Sequence, residues 1–185
     1  PPPPIVKPNT AYERHRRRVG SEMCIRDRLS DFLEFSILFE VVSTRAFSFS
    51  LLLISGLFFI YYRKTYLFLY IVLCIILGDQ IGAFLKDFFQ EPRPCFQYSV
   101  QLIDLGIIKN QCGERLTGMP SNHALNFFLF STLIYLITKR KILGFCLFII
   151  SSAVGLSRVF LAKHLLSQVI IGASLGILLG IVFYN

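Results

Sequence analysis

The sequence predicts an all-α fold: a polytopic transmembrane helix bundle of five spans, preceded by an amphipathic or sixth helix. Three observations support this. Of the 185 residues, 54% are hydrophobic and 16% charged, and the mean hydropathy of +0.61 belongs to a membrane domain with no long soluble segment. The apolar residues gather in runs of helical length separated by short polar connections. In the last run Gly172, Gly176 and Gly180 recur every four residues, a small-residue stripe that lets helices pack closely.

Residues 1–28 carry seven bases and three acids, half of the formal charge of +8. A basic leader of this kind suits a membrane surface or a nucleic acid. Val19-Gly20-Ser21-Glu22-Met23-Cys24-Ile25-Arg26-Asp27-Arg28, however, resembles the translated adapter sequence that contaminates some assembled reading frames. Residues 1–28 are therefore expected to be a disordered, non-native leader with no nucleic-acid partner, leaving 29–185 as the membrane domain.

Leu29 to Arg45 is apolar but holds Asp31, Glu34 and Glu40. Leu29, Phe32, Leu33, Ile37 and Val41 fall at helical spacing, as in an amphipathic helix at the interface or against the bundle. A first span is the other reading, costly with three acids. Phe47–Tyr62 is apolar and closes on Arg63-Lys64. Tyr66–Leu85 follows, interrupted by Asp79 and Gln80. After a polar stretch to Pro120 come Ala124–Thr138, closing on Lys139-Arg140-Lys141, then Ile142–Leu156 and Leu165–Tyr184. Several runs reach about 20 residues, the length of a span, only with flanking polar residues included.

Arg63-Lys64 and Lys139-Arg140-Lys141 sit at connections that two spans place on the same side, cytoplasmic by the positive-inside rule. The 87–120 loop and the 157–164 turn then face outward. That side is also basic, with Lys86, Arg93, Lys109, Arg115, Arg158 and Lys163, several of which an anion site would require. Cys95 and Cys112 share the outward loop; on an oxidising face they are either bridged or free thiols.

Three polar clusters lie at the outer ends of the runs. Lys86-Asp87-Phe88-Phe89-Gln90-Glu91-Pro92-Arg93-Pro94 sets a lysine and an arginine seven apart, with prolines holding the backbone around Arg93. A rigid guanidinium suits bidentate phosphate contact, and lysine adds a point charge. Met119-Pro120-Ser121-Asn122-His123-Ala124 opens an apolar run, with Ser121 or Asn122 as helix N-cap and free N–H groups favourable to an anion. Ser157-Arg158 precedes His164 and Gln168, whose spacing of four puts them on one helix face if the helix spans both.

In order, the clusters are K-x6-R-P, P-S-N-H and S-R-x5-H-x3-Q. This resembles the type 2 phosphatidic acid phosphatase family, whose pattern is K-x6-R-P, P-S-G-H and S-R-x5-H-x3-D, over roughly residues 45–185. The resemblance implies a six-helix membrane phosphatase that uses no metal or other cofactor and passes through a phosphohistidine. Lys86, Arg93 and Arg158 would clamp the phosphate oxygens, with Ser121, Asn122 and neighbouring N–H groups completing the cradle. His164 would be the nucleophile, His123 the general acid and Gln168 the residue orienting His164. Asn122 stands at the family's glycine, where it is expected to tolerate a left-handed backbone. Gln168 stands at the family's aspartate: its amide oxygen can accept from the ring N–H but cannot match a carboxylate against developing positive charge.

The expected function is hydrolysis of a lipid-linked phosphate or diphosphate at the outer face, in a bacterial inner membrane. Undecaprenyl diphosphate, phosphatidylglycerophosphate, phosphatidic acid and lipid A phosphate all fit, and the sequence assigns neither one of them nor an oligomeric state. A lipid phosphotransferase, or a phospholipid-binding or transport protein that lost chemistry through Gln168, are the alternatives.

Overall fold

A computed structural model of the chain describes residues 35–104, 108, 110–113 and 116–185. The leader expected over 1–28 and the start of the first predicted helix lie outside the described residues. Among the described residues the secondary structure is helical throughout: α1 (Phe35–Val42), α2 (Arg45–Tyr61), α3 (Thr65–Phe89), α4 (Pro94–Gln97), α5 (Ser99–Asp104), α6 (Asn122–Thr138), α7 (Lys141–Phe160) and α8 (Leu166–Tyr184).

The helix expected to run on to Arg45 stops earlier, at Val42. Thr44 breaks it by bonding the backbone on both sides: its hydroxyl donates to the Val41 carbonyl at 2.7 Å and accepts from the Phe47 N–H at 3.1 Å. Thr44 thereby N-caps α2. At the two basic connections the chain turns through left-handed residues, Arg63 at φ 54° and Lys139 at φ 55°. Gln90, at φ 47°, ends α3 in the same way, and Pro92 follows where no helix can continue.

Helix α6 is the axis of the bundle, with Leu125, Leu129 and Leu133 wholly buried. Its neighbours reach it over glycines. On α8, a Cβ added at Gly172 would sit 2.6 Å from the Ser121 carbonyl oxygen, at Gly176 2.3 Å from the Leu125 carbonyl oxygen, and at Gly180 2.7 Å from Thr132 Cβ. The stripe is thus a close contact, against backbone at Gly172 and Gly176 and against the Thr132 side chain at Gly180. On α3, Gly78 meets Leu129, and on α7, Gly144 meets Tyr135. Ser131 and Ser151 join α6 to α7 through hydroxyls 2.7 Å apart, each with the Phe127 and Leu147 carbonyls within hydrogen-bond reach as acceptors.

Helix α1 lies against α7, with the rings of Phe39 and Phe160 5.1 Å apart and Val42 packed beside Phe127 and Val154. The outer surfaces of the long helices are apolar, with Leu53, Leu73, Phe145 and Leu178 all more than half exposed, as a lipid-facing surface requires. Helices α3, α7 and α8 are long and apolar enough to cross a membrane. The 17-residue α2 and α6 are apolar but shorter, about 25 Å by helix rise.

Candidate active site

At one end of the bundle, the first half of α2, the end of α3, the segment before α4, the start of α6, the end of α7 and the turn before α8 surround a cavity of about 840 Å³. Lys86, Arg93, Asn122, His123, Arg158 and His164, far apart in sequence, all line it. Ser121 and Gln168 do not. They are 0% and 1% exposed and stand behind the wall.

His164 is not on the helix that carries Gln168. Helix α7 ends at Phe160, Ala162 takes a left-handed φ of 52°, and the N–H groups of Lys163 and His164 both donate to the Arg158 carbonyl at 3.0 and 3.2 Å. The turn projects His164 ahead of α8. The expected one-turn helical pairing is therefore corrected to a capping arrangement: Leu165 occupies the N-cap and Gln168 the third helical position, where its Oε1 accepts the Leu165 N–H at 3.1 Å. That bond brings Oε1 to 3.3 Å from His164 Nδ1.

A shorter contact fixes the ring. His164 Nδ1 lies 2.7 Å from the Gly118 carbonyl oxygen, which only accepts, so Nδ1 carries the hydrogen and Nε2 keeps its lone pair. Gly118 must be glycine: a Cβ would lie 2.6 Å from Gln168 Nε2 and 2.6 Å from the Pro92 carbonyl oxygen. Its N–H donates to the Glu91 carbonyl at 2.7 Å. Burial, then the nearby charges of Arg158 and Arg93, push the His164 pKa down to about 3. The imidazole is neutral at physiological pH.

Asn122 departs from expectation. Its backbone is helical, as the first residue of α6, and the left-handed positions lie elsewhere. What its side chain needs is space, and Gly82 supplies it: a Cβ there would come within 2.6 Å of Asn122 Oδ1. Its Nδ2 donates to Asp79 Oδ1 at 2.9 Å, as does that of Asn126. Ser121 holds the N-cap position, but its side chain makes no cap bond. Its Oγ is buried without a hydrogen-bond partner and its N–H donates to the Gln168 carbonyl at 3.1 Å, so it joins α6 to α8 and does not border the cavity as the phosphate cradle would demand.

The cations are held from several sides. Arg158 Nη1 donates to Ser43 Oγ, at the end of α1. The Nε atoms of Arg93 and Arg158 are buried without a hydrogen-bond partner. Cys95 and Cys112 form a disulfide, and the Cys95 N–H donates to the Ala162 carbonyl at 3.0 Å, which binds the Arg93 segment to the His164 turn. Bridging, one of two outcomes left open by the sequence, is the one observed.

Among the participants that escaped the motif pattern are Ser43, Asp79, Glu91, Gly118, Asn126 and Lys163. Asp79 was visible as a charge interrupting an apolar run, and Lys163 and Glu91 lie inside the motif stretches without being motif positions. Ser43 and Gly118 had no signal, Gly118 because it acts through its backbone. Glu91 Oε2 accepts from Gln168 Nε2 at 3.1 Å.

Comparison with known proteins bears on this geometry. The PAP2 superfamily matches residues 64–185. Phosphatidylglycerophosphatase B of Bacillus subtilis (strain 168) is 29% identical over 143 residues, 72% of this chain and 64% of the relative. The chain thus spans a little less than two thirds of that protein. The bundle is also similar to a crystal structure described as the first transmembrane PAP2 type phosphatidylglycerolphosphate phosphatase from Bacillus subtilis, with a TM-score of 0.66 and 22% identity over 95% of this chain and 85% of that one. A match over residues 64–185, on a bundle of this fold, means that the chain belongs to the PAP2 superfamily.

Proposed function

We propose that the protein is an integral membrane phosphatase that hydrolyses a lipid-linked phosphate through a phosphohistidine at His164, with phosphatidylglycerophosphate as the first substrate to test. The observation that carries the proposal is the His164 ring: Nδ1 is bound to a backbone carbonyl, which leaves Nε2 as a neutral nucleophile in a cavity also lined by Lys86, Arg93, Arg158 and His123. The relative's name supplies the substrate class.

In the first step the Nε2 lone pair attacks phosphorus. The phosphorus–oxygen ester bond breaks, and its electron pair leaves on the lipid oxygen, which takes a proton from His123, an imidazole that enters the step protonated beside the negative charge of the bound phosphate. The three cations bind the phosphoryl oxygens in the transition state, where the buried Nε donors of Arg93 and Arg158 gain acceptors. N–H groups at the start of α6 add to the cradle, while Asn122 is steadied by Asp79. In the second step His123 takes a proton from water as it attacks, the phosphorus–nitrogen bond breaks, and phosphate leaves. The positive charge required by the transferring group comes from side chains, so the proposed reaction requires no metal.

The disulfide and the basic connections at the opposite end support an outward-facing site in a bacterial inner membrane. Five spans, with α1 packed against α7 near the site, are part of the same proposal.

The test is phosphate release by the purified full chain in detergent from phosphatidylglycerophosphate, phosphatidic acid, undecaprenyl diphosphate and lipid A phosphate, with and without exhaustive chelation. Release that survives chelation and disappears in His164→Ala, with lipid binding retained, supports the proposal. Transfer of labelled phosphate to an acceptor lipid without release would make the protein a phosphotransferase. Binding without either would make it a lipid-binding or transport protein.

A further inference from the structure

Glu91 holds both acceptors of the His164 ring. Its backbone carbonyl accepts from the Gly118 N–H at 2.7 Å, and the Gly118 carbonyl lies 2.7 Å from His164 Nδ1. Its carboxylate Oε2 accepts from Gln168 Nε2 at 3.1 Å, and Gln168 Oε1 lies 3.3 Å from the same Nδ1. The Gln168 amide has only one orientation that satisfies its neighbours. The Leu165 N–H requires an oxygen at one end, and the Glu91 carboxylate requires an N–H at the other.

We infer that Glu91 is a positioning residue of the phosphoryl-transfer site, supplying through Gln168 the negative charge that steadies the His164 ring as it becomes cationic. The inference rests on the proposed function. A neutral amide next to the nucleophile provides only a dipole. An amide whose N–H is bound to a carboxylate is polarised, and its oxygen becomes a stronger acceptor in a buried setting. Gln168 is 1% exposed and Glu91 half-buried, so the amide that carries the polarisation is shielded from solvent although the carboxylate behind it is partly screened. The carboxylate missing at position 168 is present one residue further from the ring, delivered from the end of another helix. Glu91 touches neither the ring nor the proposed phosphate site, so it acts through Gln168 and Gly118.

A merely structural role would tie the 90–94 segment to α8, and glutamine at 91 could still accept the same hydrogen bond. Charge is what Glu91→Gln removes. Steady-state and single-turnover phosphate release from phosphatidylglycerophosphate is measured for the full chain in detergent. Glu91→Gln is expected to lower kcat by about 10- to 100-fold, the range for a group that orients a reacting ligand from behind, with KM within about twofold. Gln168→Asp alone is also expected to lose turnover, because it sets two carboxylates against each other and takes the donor from Glu91. The double variant Glu91→Gln, Gln168→Asp restores one carboxylate, now held by an amide donor, and is expected to recover to near the parental kcat. A parental kcat in Glu91→Gln, or a double variant no faster than Gln168→Asp, would overturn the inference. His164→Ala separates this failure from that of the functional proposal: if it is inactive while Glu91→Gln is unimpaired, only the role of Glu91 falls. If His164→Ala keeps the parental rate, both fall.

Discussion

Asn122 and Gly82 are shaped to each other across two helices. The Asn122 amide fills the space a side chain at 82 would take, with Oδ1 2.6 Å from where a Cβ would lie, and its Nδ2 is bound to Asp79 2.9 Å away. The side chain that replaces the family's usual glycine in one motif is accommodated by a glycine forty residues earlier.

A coupling between the two positions follows. Gly82→Ala should displace the Asn122 amide from Asp79 and lower both thermal stability and phosphate release. Asn122→Gly in the Gly82→Ala background should recover much of the loss, giving an interaction energy of about 0.5–3 kcal/mol in a double-mutant cycle on stability. Strict additivity of the two changes would show that the fit carries no energy.

Gly176 is a different case, because its neighbour is backbone. A Cβ there would lie 2.3 Å from the Leu125 carbonyl oxygen and 3.0 Å from the Leu129 nitrogen, neither of which can rotate away. Gly176→Ala should push α8 off α6 and destabilise by about 1–3 kcal/mol, as overpacking of a fitted contact does. The thermal midpoint in detergent is the measurement, and an unchanged midpoint would contradict the close approach.

Opening the Cys95–Cys112 bridge should loosen the Arg93 segment. A bridge across 17 residues contributes about 3 kcal/mol by the loop-entropy account. Cys112→Ser should therefore lower the thermal midpoint, and it should raise KM more than it lowers kcat, since the segment bears the proposed clamp residue Arg93 and not the proposed nucleophile His164. Thiol labelling of the reduced protein in sealed vesicles checks orientation: labelling only from the cytoplasmic side would reverse the proposed topology.

His164 should leave a mark on acid stability. Its pKa is pushed down to about 3 by burial and neighbouring cations, against about 6.5 in an unfolded chain. Between these values the unfolded chain holds a proton the folded protein lacks. The stability this residue permits is therefore present above pH 6.5 and falls as pH drops toward 3, by about 1.4 kcal/mol per pH unit where the difference is a full proton. His164→Asn lacks this term, so its thermal midpoint should decline less between pH 7 and pH 4 than the parent's. Parallel declines would mean that the ring is protonated in the fold.

Much of the bundle was legible because helical periodicity and charge placement act locally. The five long helices begin and end within a few residues of the apolar runs. The cavity residues Lys86, Arg93, His123, Arg158 and His164 were legible for another reason: their motifs state chemistry directly. What escaped was contact between distant segments. Gly82 and Asn122 look unrelated until α3 lies beside α6, and Gly118 contributes a carbonyl that any residue would possess. Gln168 showed its position but not its partner, so it looked like a weakened aspartate. The break between the first two helices was expected after Arg45 and falls at Ser43–Thr44, because spacing alone does not show that Thr44 captures the backbone.

The glycine stripe of α8 has a consequence for the protein's sensitivity to its surroundings. His123 lies in the first turn of α6 and His164 just before the N-cap of α8, and these two helices meet closely over Gly172, Gly176 and Gly180, with the Ser121 N–H bonded to the Gln168 carbonyl at the cavity end. Bilayers of different thickness or lateral pressure act on a bundle by tilting and sliding its helices. A pair held this close at three successive glycines moves as one piece. The spacing of the two histidines should then be insulated from the mechanical state of the membrane, while the cavity wall that α2 supplies takes up the adjustment.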